Sequence, residues 1–232
     1  MSSPALVIAH RGASDREFEN SLAAFRAAVA LRADAVELDI HTTLDGGLIV
    51  HHDPALAGRP ISQLTTAAAV AERLPNGEAV PTLDAALAAL GPRLQVFVEV
   101  KSLPVAFDER LFEALDGGPN PRGYAVHGFD HRIVQRLGRK RPDLRRGILS
   151  GAYPVNPLAA LRDAGATMLW QERTLVDRPL AETLHRTGMQ LFVWTVDDPA
   201  DMRHLLEIGT DGLCTNRPDV GRRAVDTQLG AA

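Results

Sequence analysis

The sequence contains very little cysteine, no long apolar run and no excess of positive charge. The single cysteine, Cys214, cannot form a disulfide within the chain. No apolar stretch approaches the roughly 20 residues that span a bilayer, and the amino terminus lacks the basic and long apolar segments of a signal peptide. We therefore expect a soluble, cytoplasmic protein without an integral membrane segment.

The charged residues are nearly balanced, since 25 lysines and arginines face 29 aspartates and glutamates, for a formal net charge of −4. Such a balance argues against a surface that follows nucleic-acid phosphates. The basic residues between positions 136 and 146 form a local cluster, which we interpret as a solvated helix face and turn. Nucleic acid is therefore not an expected partner.

Length and composition fit one domain. The chain has 232 residues and is 45% hydrophobic, so it can bury a substantial core. Barrels built from alternating strands and helices reach this size as one unit. We predict a single domain over residues 1–232.

Short apolar runs of strand length recur along the chain, separated by segments rich in Ala and Leu with helical spacing. The predicted strands are 5–10, 35–41, 48–53, 94–101, 124–129, 146–151, 167–172, 191–196 and 211–215. The predicted helices are 21–31, 83–90, 106–115, 131–140, 157–164, 180–186 and 199–208. Such alternation predicts a parallel sheet covered by helices, either open and doubly wound or closed into a (β/α)8 barrel.

One pair of predicted strands is connected too closely to be parallel. Only "HTTLDGG" separates "VELDI" from "LIVHHD", whereas a parallel crossover needs about a dozen residues. Asp45 and Gly46 favour a two-residue hairpin turn, which would place Asp39 opposite His52. Without the returning strand, eight parallel candidates remain, which is the strand number of the barrel. We therefore predict an α/β fold, a (β/α)8 TIM barrel with a β-hairpin excursion after strand 2.

Polar side chains collect where the predicted strands end. In a barrel the carboxyl ends of the strands form one rim, which carries the chemistry. Residues two apart on a strand face the same side, so three carboxylates converge there. The residues expected at this rim are His10, Arg11, Glu37, Asp39, Glu99, Lys101, Trp194 and Thr195.

Three carboxylates that face one another repel unless they are protonated, paired or bridged by a cation. Oxygen ligands suit magnesium or calcium, and the absence of a cysteine or paired-histidine motif argues against structural zinc. Ion pairing of Glu37 and Glu99 with Arg11 and Lys101, without any metal, is the alternative. We favour one divalent cation, Mg²⁺ or Ca²⁺, held by Glu37, Asp39 and Glu99.

Two histidines differ from the others because each ends a predicted strand and because the hairpin count places His52 beside a candidate metal ligand, Asp39. His10 and His52 therefore suit general base and general acid roles near neutral pH. Arg11 and Lys101 offer positive charge to an anionic substrate, and the fork of Arg11 matches phosphate oxygens. The histidines that we interpret as structural are His41, His127, His131, His185 and His204.

Several polar or aromatic residues at the rim have two interpretations. Trp194 is either a platform for the substrate or packing beneath the site. Asn20, Thr195 and Asn216 are either hydrogen-bond partners at the rim or ordinary loop caps.

Seven short pieces occur in a defined order: "HRG" after the first strand, "ENS", "ADAVELDIHTTLDGGLIVHHD", "VPTLDAAL", "VFVEVK", "FVWTV" and "GTDGLCTNRP". In this order they resemble the glycerophosphodiester phosphodiesterases, over residues 7–218. The resemblance implies a barrel that uses a divalent cation to hydrolyse glycerophosphodiesters to an alcohol and sn-glycerol 3-phosphate.

The resemblance also implies roles for individual residues. These are His10 and His52 as catalytic histidines, Glu37, Asp39 and Glu99 as metal ligands, and Arg11 and Lys101 as phosphate contacts. We add Glu19, from the "ENS" piece, and Trp194 as further substrate-binding residues. His52 is preferred to His51 because Asp53 follows it, as in the "HD" of the family.

Two alternatives to this function remain. One is a phosphodiesterase of the same barrel type that acts on lysophospholipids or another phosphodiester. A lysophospholipid enzyme would need an exposed apolar patch or an amphipathic lid, and the sequence makes neither evident. A catalytically silent binding barrel is disfavoured, because both histidines, the three carboxylates and both cations are retained. The segment "LAGRPISQLT" is short where the family often carries a lid, so we predict no particular headgroup.

Overall fold

The computed structural model describes residues 4–230. Its strands are β1 (Leu6–His10), β2 (Ala35–Thr42), β3 (Leu48–Val50), β4 (Ala55–Leu56), β5 (Arg59–Pro60), β6 (Gln95–Val100), β7 (Tyr124–His127), β8 (Arg145–Ser150), β9 (Met168–Glu172), β10 (Gln190–Trp194) and β11 (Gly212–Thr215). Its α-helices are α1 (Leu22–Ala30), α2 (Thr66–Ala71), α3 (Leu83–Leu90), α4 (Asp108–Gly117), α5 (His131–Lys140), α6 (Pro157–Ala164), α7 (Arg178–His185), α8 (Pro199–Ile208) and α9 (Pro218–Gly230). Single 3₁₀ turns cover Ile61–Gln63, Val105–Phe107, Pro121–Gly123 and Arg173–Leu175. Among these described residues, no helix combines the length and the apolar character that crossing a bilayer requires.

Eight parallel strands close into a barrel in this part of the chain. Their hydrogen-bonded order is β1, β11, β10, β9, β8, β7, β6, β2, and pairing of β1 with β2 completes the ring. Helices lie in the connections between these strands, as right-handed crossovers between parallel neighbours require. The predicted (β/α)8 barrel is therefore confirmed.

The hairpin excursion after the second strand is also confirmed. The amino-terminal half of β2 pairs in parallel with β1, and its carboxyl-terminal half pairs in antiparallel fashion with β3. The returning strand is shorter than predicted, because β3 ends at Val50 rather than at residue 53. His51 still pairs with β2 through its backbone, and the chain leaves the hairpin at residues 52 and 53.

The predicted register of this hairpin is wrong by one residue. The backbone N–H of Thr43 donates to the Gly47 carbonyl at 2.9 Å, so the turn holds three residues, of which Gly46 has φ of 84°. A positive φ at the third turn position is typical of three-residue hairpins. The additional turn residue places His51, and not His52, opposite Asp39, whose carbonyl accepts the His51 N–H at 3.1 Å.

Alternate strand residues point into the barrel, because side chains two apart share one face. The lower inward positions are apolar and form one cluster: Ile8, Ala35, Phe97, Ala125, Leu149, Met168, Trp170, Phe192 and Cys214. Two residues further along β1, β2, β6 and β7, the same faces carry His10, Glu37, Glu99 and His127. The two-residue alternation that places apolar side chains in the core thus also places polar side chains at the carboxyl end of the barrel.

The first helix is held close to the end of β1. Ser21 caps α1 by accepting the Ala24 N–H at 3.1 Å, which satisfies one of the free N–H groups of the first turn. Gly12 has φ of 87°, and a Cβ there would lie 2.7 Å from backbone and side-chain atoms of Ala24. Only glycine therefore permits this approach, which fixes the chain directly after His10 and Arg11.

Between the hairpin and α3 the chain forms a small subregion that the sequence did not predict. It comprises the short β4–β5 pair and α2. Its buried apolar residues pack in one cluster with Ile49 of β3: Leu56, Ile61, Leu64, Ala69, Leu74 and Val80. Its strands and helix were too short to leave a clear periodic pattern.

Candidate active site

A cavity of about 110 Å³ opens at the carboxyl end of the barrel. The polar residues that line it are His10, Arg11, Glu37, His52, Glu99, Lys101, His127 and Thr195. Most come from the ends of β1, β2 and β6, which are neighbours in the sheet. The predicted rim residues are therefore brought together.

The three predicted metal ligands form a buried cluster. Glu37, Asp39 and Glu99 each offer a carboxylate oxygen, and these oxygens all lie within 4.8 Å of one another. Burial, together with the charges of Asp39 and Glu99, raises the pKa of Glu37 well above its usual range. Burial and the charge of Asp39 raise the pKa of Glu99 to about 7. With all three carboxyls ionised, the cluster would carry more negative charge than its surroundings accommodate.

Two cations neutralise part of this charge. Lys101 Nζ lies 2.6 Å from Glu99 Oε1 and 3.1 Å from Asp39 Oδ1, and Arg11 Nε lies 3.1 Å from Asp39 Oδ2. Although burial opposes it, Lys101 and Arg11 lower the pKa of Asp39. Glu37 contacts Arg11 differently, since its Oε2 accepts the Arg11 backbone N–H at 3.2 Å.

A hard divalent cation fits this donor set. The ion pair between Glu99 and Lys101, which was part of the metal-free alternative, is present. The side-chain pair between Glu37 and Arg11 is not among the ion pairs of the described residues, so an ionised Glu37 would have no arginine or lysine side chain paired with it. Buried oxygen donors with this excess of charge are the ligands that magnesium or calcium takes in proteins.

His10 is held at the end of β1 by a hydrogen bond from its ring. Its Nδ1 lies 2.7 Å from Asn216 Oδ1, and its Nε2 lies 4.0 Å from Glu37 Oε2. Burial and the neighbouring charge of Arg11 lower the pKa of His10, so the neutral ring is favoured. A neutral imidazole with one nitrogen directed at the cavity can accept a proton.

His52 lines the same cavity from the segment after β3. Its Nδ1 lies 2.8 Å from Asp53 Oδ1, and the His52 side chain is 36% exposed. His51 belongs to the hairpin, where it pairs with Asp39 through the backbone. Although the predicted register was wrong, His52 rather than His51 therefore reaches the cavity.

Apolar side chains form the other wall of the cavity. They are Phe129, Leu149, Trp170 and Trp194, contributed by the ends of β7, β8, β9 and β10. The rings of Phe129 and Trp194 meet edge to face, with centroids 5.6 Å apart. Phe129 is 52% exposed, so this wall continues from the cavity onto the outer surface.

The two additional substrate-binding residues of the sequence analysis take different positions. Trp194 lines the cavity, while its Nε1 donates to the Trp170 carbonyl at 3.1 Å. Glu19 accepts two hydrogen bonds from Arg11 Nη1, at 2.8 and 3.0 Å. Glu19 therefore contacts the site through Arg11, whose orientation it supports.

His127 is a site residue that the sequence analysis missed. It is 1% exposed and lines the cavity. Its Nε2 lies 3.9 Å from Glu37 Oε1, and its ring stacks on Trp170 with centroids 4.2 Å apart. Burial lowers the pKa of His127 to about 3. Its position two residues after the inward-facing Ala125 was the signal that could have identified it.

Two asparagines at the rim act as hydrogen-bond partners rather than as helix caps. Asn20 Nδ2 donates to Asp39 Oδ2 at 2.8 Å, which orients a candidate metal ligand. Asn216 contacts His10, as described above. Thr195 lines the cavity.

The family-level comparisons agree with this geometry. A family model described as the glycerophosphoryl diester phosphodiesterase family matches residues 10–220. A glycerophosphodiester phosphodiesterase from Caldanaerobacter subterraneus subsp. tengcongensis is 30% identical over 231 residues, which cover 92% of this chain and 95% of the relative. The resemblance proposed from the sequence is therefore confirmed.

Solved structures share the fold. A glycerophosphodiester phosphodiesterase from Parabacteroides distasonis superposes with a TM-score of 0.89 at 24% identity, covering 99% of this chain and 100% of that one. A phosphodiesterase from Oleispira antarctica, in complex with the product sn-glycerol-3-phosphate, superposes with a TM-score of 0.87 at 21% identity, covering 96% and 97%. The chain therefore belongs to the glycerophosphoryl diester phosphodiesterase family, a family of phosphoric diester hydrolases.

Proposed function

We propose that the protein hydrolyses glycerophosphodiesters to an alcohol and sn-glycerol 3-phosphate, and that it does so with one divalent cation. The observation that carries the proposal is a cavity lined by the proposed catalytic histidines, by Arg11 and Lys101 and by the carboxylates of Glu37 and Glu99. The third carboxylate, Asp39, lies within 4.8 Å of those two. Family membership supports the reaction class. The proposed location in the cytoplasm rests on the sequence alone.

Glu37, Asp39 and Glu99 would hold the ion, either magnesium or calcium. When bound, the ion would supply Lewis-acid polarisation of the phosphoryl oxygens. Arg11 and Lys101 add positive charge beside the same oxygens, where they orient the phosphate and lower its negative charge.

His10 and His52 divide the proton transfers. Cleavage of the phosphorus–oxygen bond requires one proton to leave the attacking hydroxyl and one proton to reach the departing oxygen. One histidine accepts the first proton and the other donates the second, which are the roles of a general base and a general acid. The attacking oxygen belongs either to water or to the neighbouring glycerol hydroxyl, and phosphorus NMR distinguishes these routes by a transient cyclic phosphate.

The test is release of sn-glycerol 3-phosphate from a panel of glycerophosphodiesters, with added magnesium, with calcium and with a chelator. We expect release that depends on the metal and that is lost in His10→Ala. Release that persists in the chelator would overturn the metal requirement. A folded protein that releases no product under any condition would instead favour a silent binding barrel.

A lysophospholipid substrate is the second candidate, and one observation favours it. The sequence made no exposed apolar patch evident, yet Phe129 is 52% exposed and packs on Trp194 at the cavity wall. An acyl chain that leaves the cavity would cover this ring. Adding a glycerophosphodiester with an acyl chain to the panel compares the two candidates directly, since a higher kcat/KM for the acylated member supports the second.

A further inference from the structure

A chain of hydrogen bonds leads from His10 away from the cavity. His10 Nδ1 lies 2.7 Å from Asn216 Oδ1, and Asn216 Nδ2 donates to Asp197 Oδ2 at 2.6 Å. Asp197 follows β10, and Asn216 follows β11, so both lie on loops of neighbouring strands. The sequence left Asn216 open as a rim hydrogen-bond partner or a loop cap, and it gave no role to Asp197.

Asp197 is itself firmly held. Its Oδ1 accepts the Thr215 hydroxyl at 2.9 Å and the Asn216 backbone N–H at 2.8 Å. With these two donors on Oδ1, its Oδ2 is left for the Asn216 side chain. The carboxylate is thus a fixed acceptor that faces the amide.

The chemistry of these groups determines which way the Asn216 amide points. A carboxylate only accepts hydrogen bonds, so the NH₂ group of Asn216 must face Asp197. The amide oxygen then faces His10. If the amide were turned over, two oxygens would meet at 2.6 Å and repel.

The amide oxygen in turn determines which ring nitrogen of His10 carries the proton. Oδ1 of Asn216 is an acceptor, so His10 Nδ1 must donate. Ser14 Oγ lies 2.8 Å from Asn216 Oδ1 and 2.9 Å from the His10 carbonyl oxygen, and its hydroxyl donates to one of these two acceptors. No arrangement of the Ser14 proton changes the role of His10 Nδ1.

We infer that Asp197 and Asn216 are positioning residues that hold neutral His10 in the tautomer with the proton on Nδ1. The unprotonated nitrogen is then Nε2, the atom on the cavity side, 4.0 Å from Glu37. The inference rests on the proposed function, because it gives His10 a ready proton acceptor at the reacting atoms. When Nε2 takes a proton, the Nδ1–H bond to Asn216 remains, so the ring keeps its orientation through the reaction.

The tautomer is measured without any substrate. Protein labelled with ¹⁵N in its histidines is examined by long-range proton–nitrogen NMR at a pH of about 8, above the ordinary histidine pKa. The spectrum of His10→Gln identifies the His10 signals. We expect a protonated Nδ1 and an unprotonated Nε2 for His10. The opposite tautomer, or an even mixture, would overturn the inference.

Two single substitutions and their combination test the positioning residues. In Asp197→Asn the amide oxygen of residue 197 takes the two donors that Asp197 Oδ1 held, and its NH₂ group faces residue 216. The Asn216 amide then turns over, so that its NH₂ group faces His10 Nδ1 and the tautomer with the proton on Nδ1 is lost. Asn216→Asp places two carboxylates together and weakens the site by repulsion. The double substitution Asp197→Asn, Asn216→Asp restores the pattern, because residue 197 then donates to residue 216, which still accepts from His10 Nδ1.

We expect each single substitution to lower kcat by about 10-fold or more with little change in KM, a fraction of the roughly 10²–10⁴ that a general base supplies. The double variant should recover most of this loss and the Nδ1–H tautomer together. If it recovers neither while its circular dichroism matches the parent, the two residues have only a structural role, and the inference fails. If the parent itself releases no product but shows the expected tautomer, the proposed function fails and the inference about His10 stands.

Discussion

The mouth of the barrel has two unlike halves. The polar half, from the ends of β1, β2 and β6, consists of His10, Arg11, Glu37, Asp39, Glu99 and Lys101. The apolar half, from the ends of β7 to β10, is formed mainly by Phe129, Leu149, Trp170 and Trp194, with the polar His127 and Thr195 beside them. In the polar half nearly every side chain is tied by a hydrogen bond or an ion pair, whereas the apolar half is held by ring packing.

This difference indicates that the two halves of the mouth suit different tasks. Proton transfer and phosphate binding need charged groups held within a fraction of an ångström, which the polar half provides. Recognition of the substituent that distinguishes one phosphodiester from another depends on apolar contact area rather than on charged groups. Changes in the polar half should therefore abolish turnover, and changes in the apolar half should alter substrate preference.

The largest effect is expected for His10→Ala. It removes the proposed proton-transfer group of the polar half, so kcat should fall by about 10² to 10⁴. His204→Ala, an exposed histidine on α8, is the matched control and should turn over normally. A loss of less than about tenfold in His10→Ala would contradict the assignment of His10 as an acid or base.

Comparing kcat of His52→Ala with kcat of His51→Ala tests two adjacent histidines whose side chains the hairpin places differently. His52 lines the cavity, so its loss should lower kcat by about 10². His51 pairs with β2 through its backbone, which alanine preserves, so its loss should leave kcat near the parental value. The reverse order in steady-state kinetics would transfer the role to His51.

Phe129→Ala should produce a smaller and more selective effect. The ring lies at the edge of the apolar half, so its loss should raise KM for an acylated phosphodiester by about 10-fold, equivalent to ~1.4 kcal/mol. KM for a substrate with a small polar headgroup should hardly change. Val105→Ala, exposed after β6, is the control, and an equal effect on both substrates would show that the apolar half does not discriminate between them.

The smallest effect concerns stability and pH. The pKa of Glu99, raised by burial to about 7, lies above the roughly 4.3 of an unfolded glutamate, so the folded protein binds the extra proton. This contribution to stability is complete below about pH 4 and is lost as the pH rises through about 7. In the presence of a chelator, Tm should therefore fall over this interval.

Two controls accompany that measurement. Glu99→Gln should weaken the dependence of Tm on pH, because one of the two carboxyls with a raised pKa is gone. Saturating magnesium should raise Tm more at alkaline than at acidic pH, since ionised carboxylates bind it. A Tm that rises with pH in the chelated parent would contradict the unfavourable charge assigned to the cluster.

The strand pattern could be predicted because it depends on local sequence. Apolar runs ending in polar residues, such as Val7-Ile8-Ala9 before His10, identified both the strands and the rim. The short connection after β2 was enough to identify a hairpin. Its register was not predictable, because Asp45 and Gly46 suit both two-residue and three-residue turns, and the pairing beyond the turn decides between them.

The roles of the histidines were less predictable. His41 and His127 both lie on strands and are buried, and the sequence does not separate them. In the structure, His41 contacts Ser102 Oγ at 3.2 Å and the His52 carbonyl at 3.0 Å. His127 faces the cavity beside Glu37 instead. The difference depends on which residues of other strands surround each ring, and only the folded barrel determines that.

The contact between His10 and Asn216 joins residues 206 positions apart, one at the end of β1 and one directly after β11. Until β11 has docked beside β1, His10 has no partner to hold its ring. Recovery of enzyme activity should therefore show that the barrel has closed. In a refolding experiment, activity should return with the slowest structural phase, after most of the helical signal has recovered.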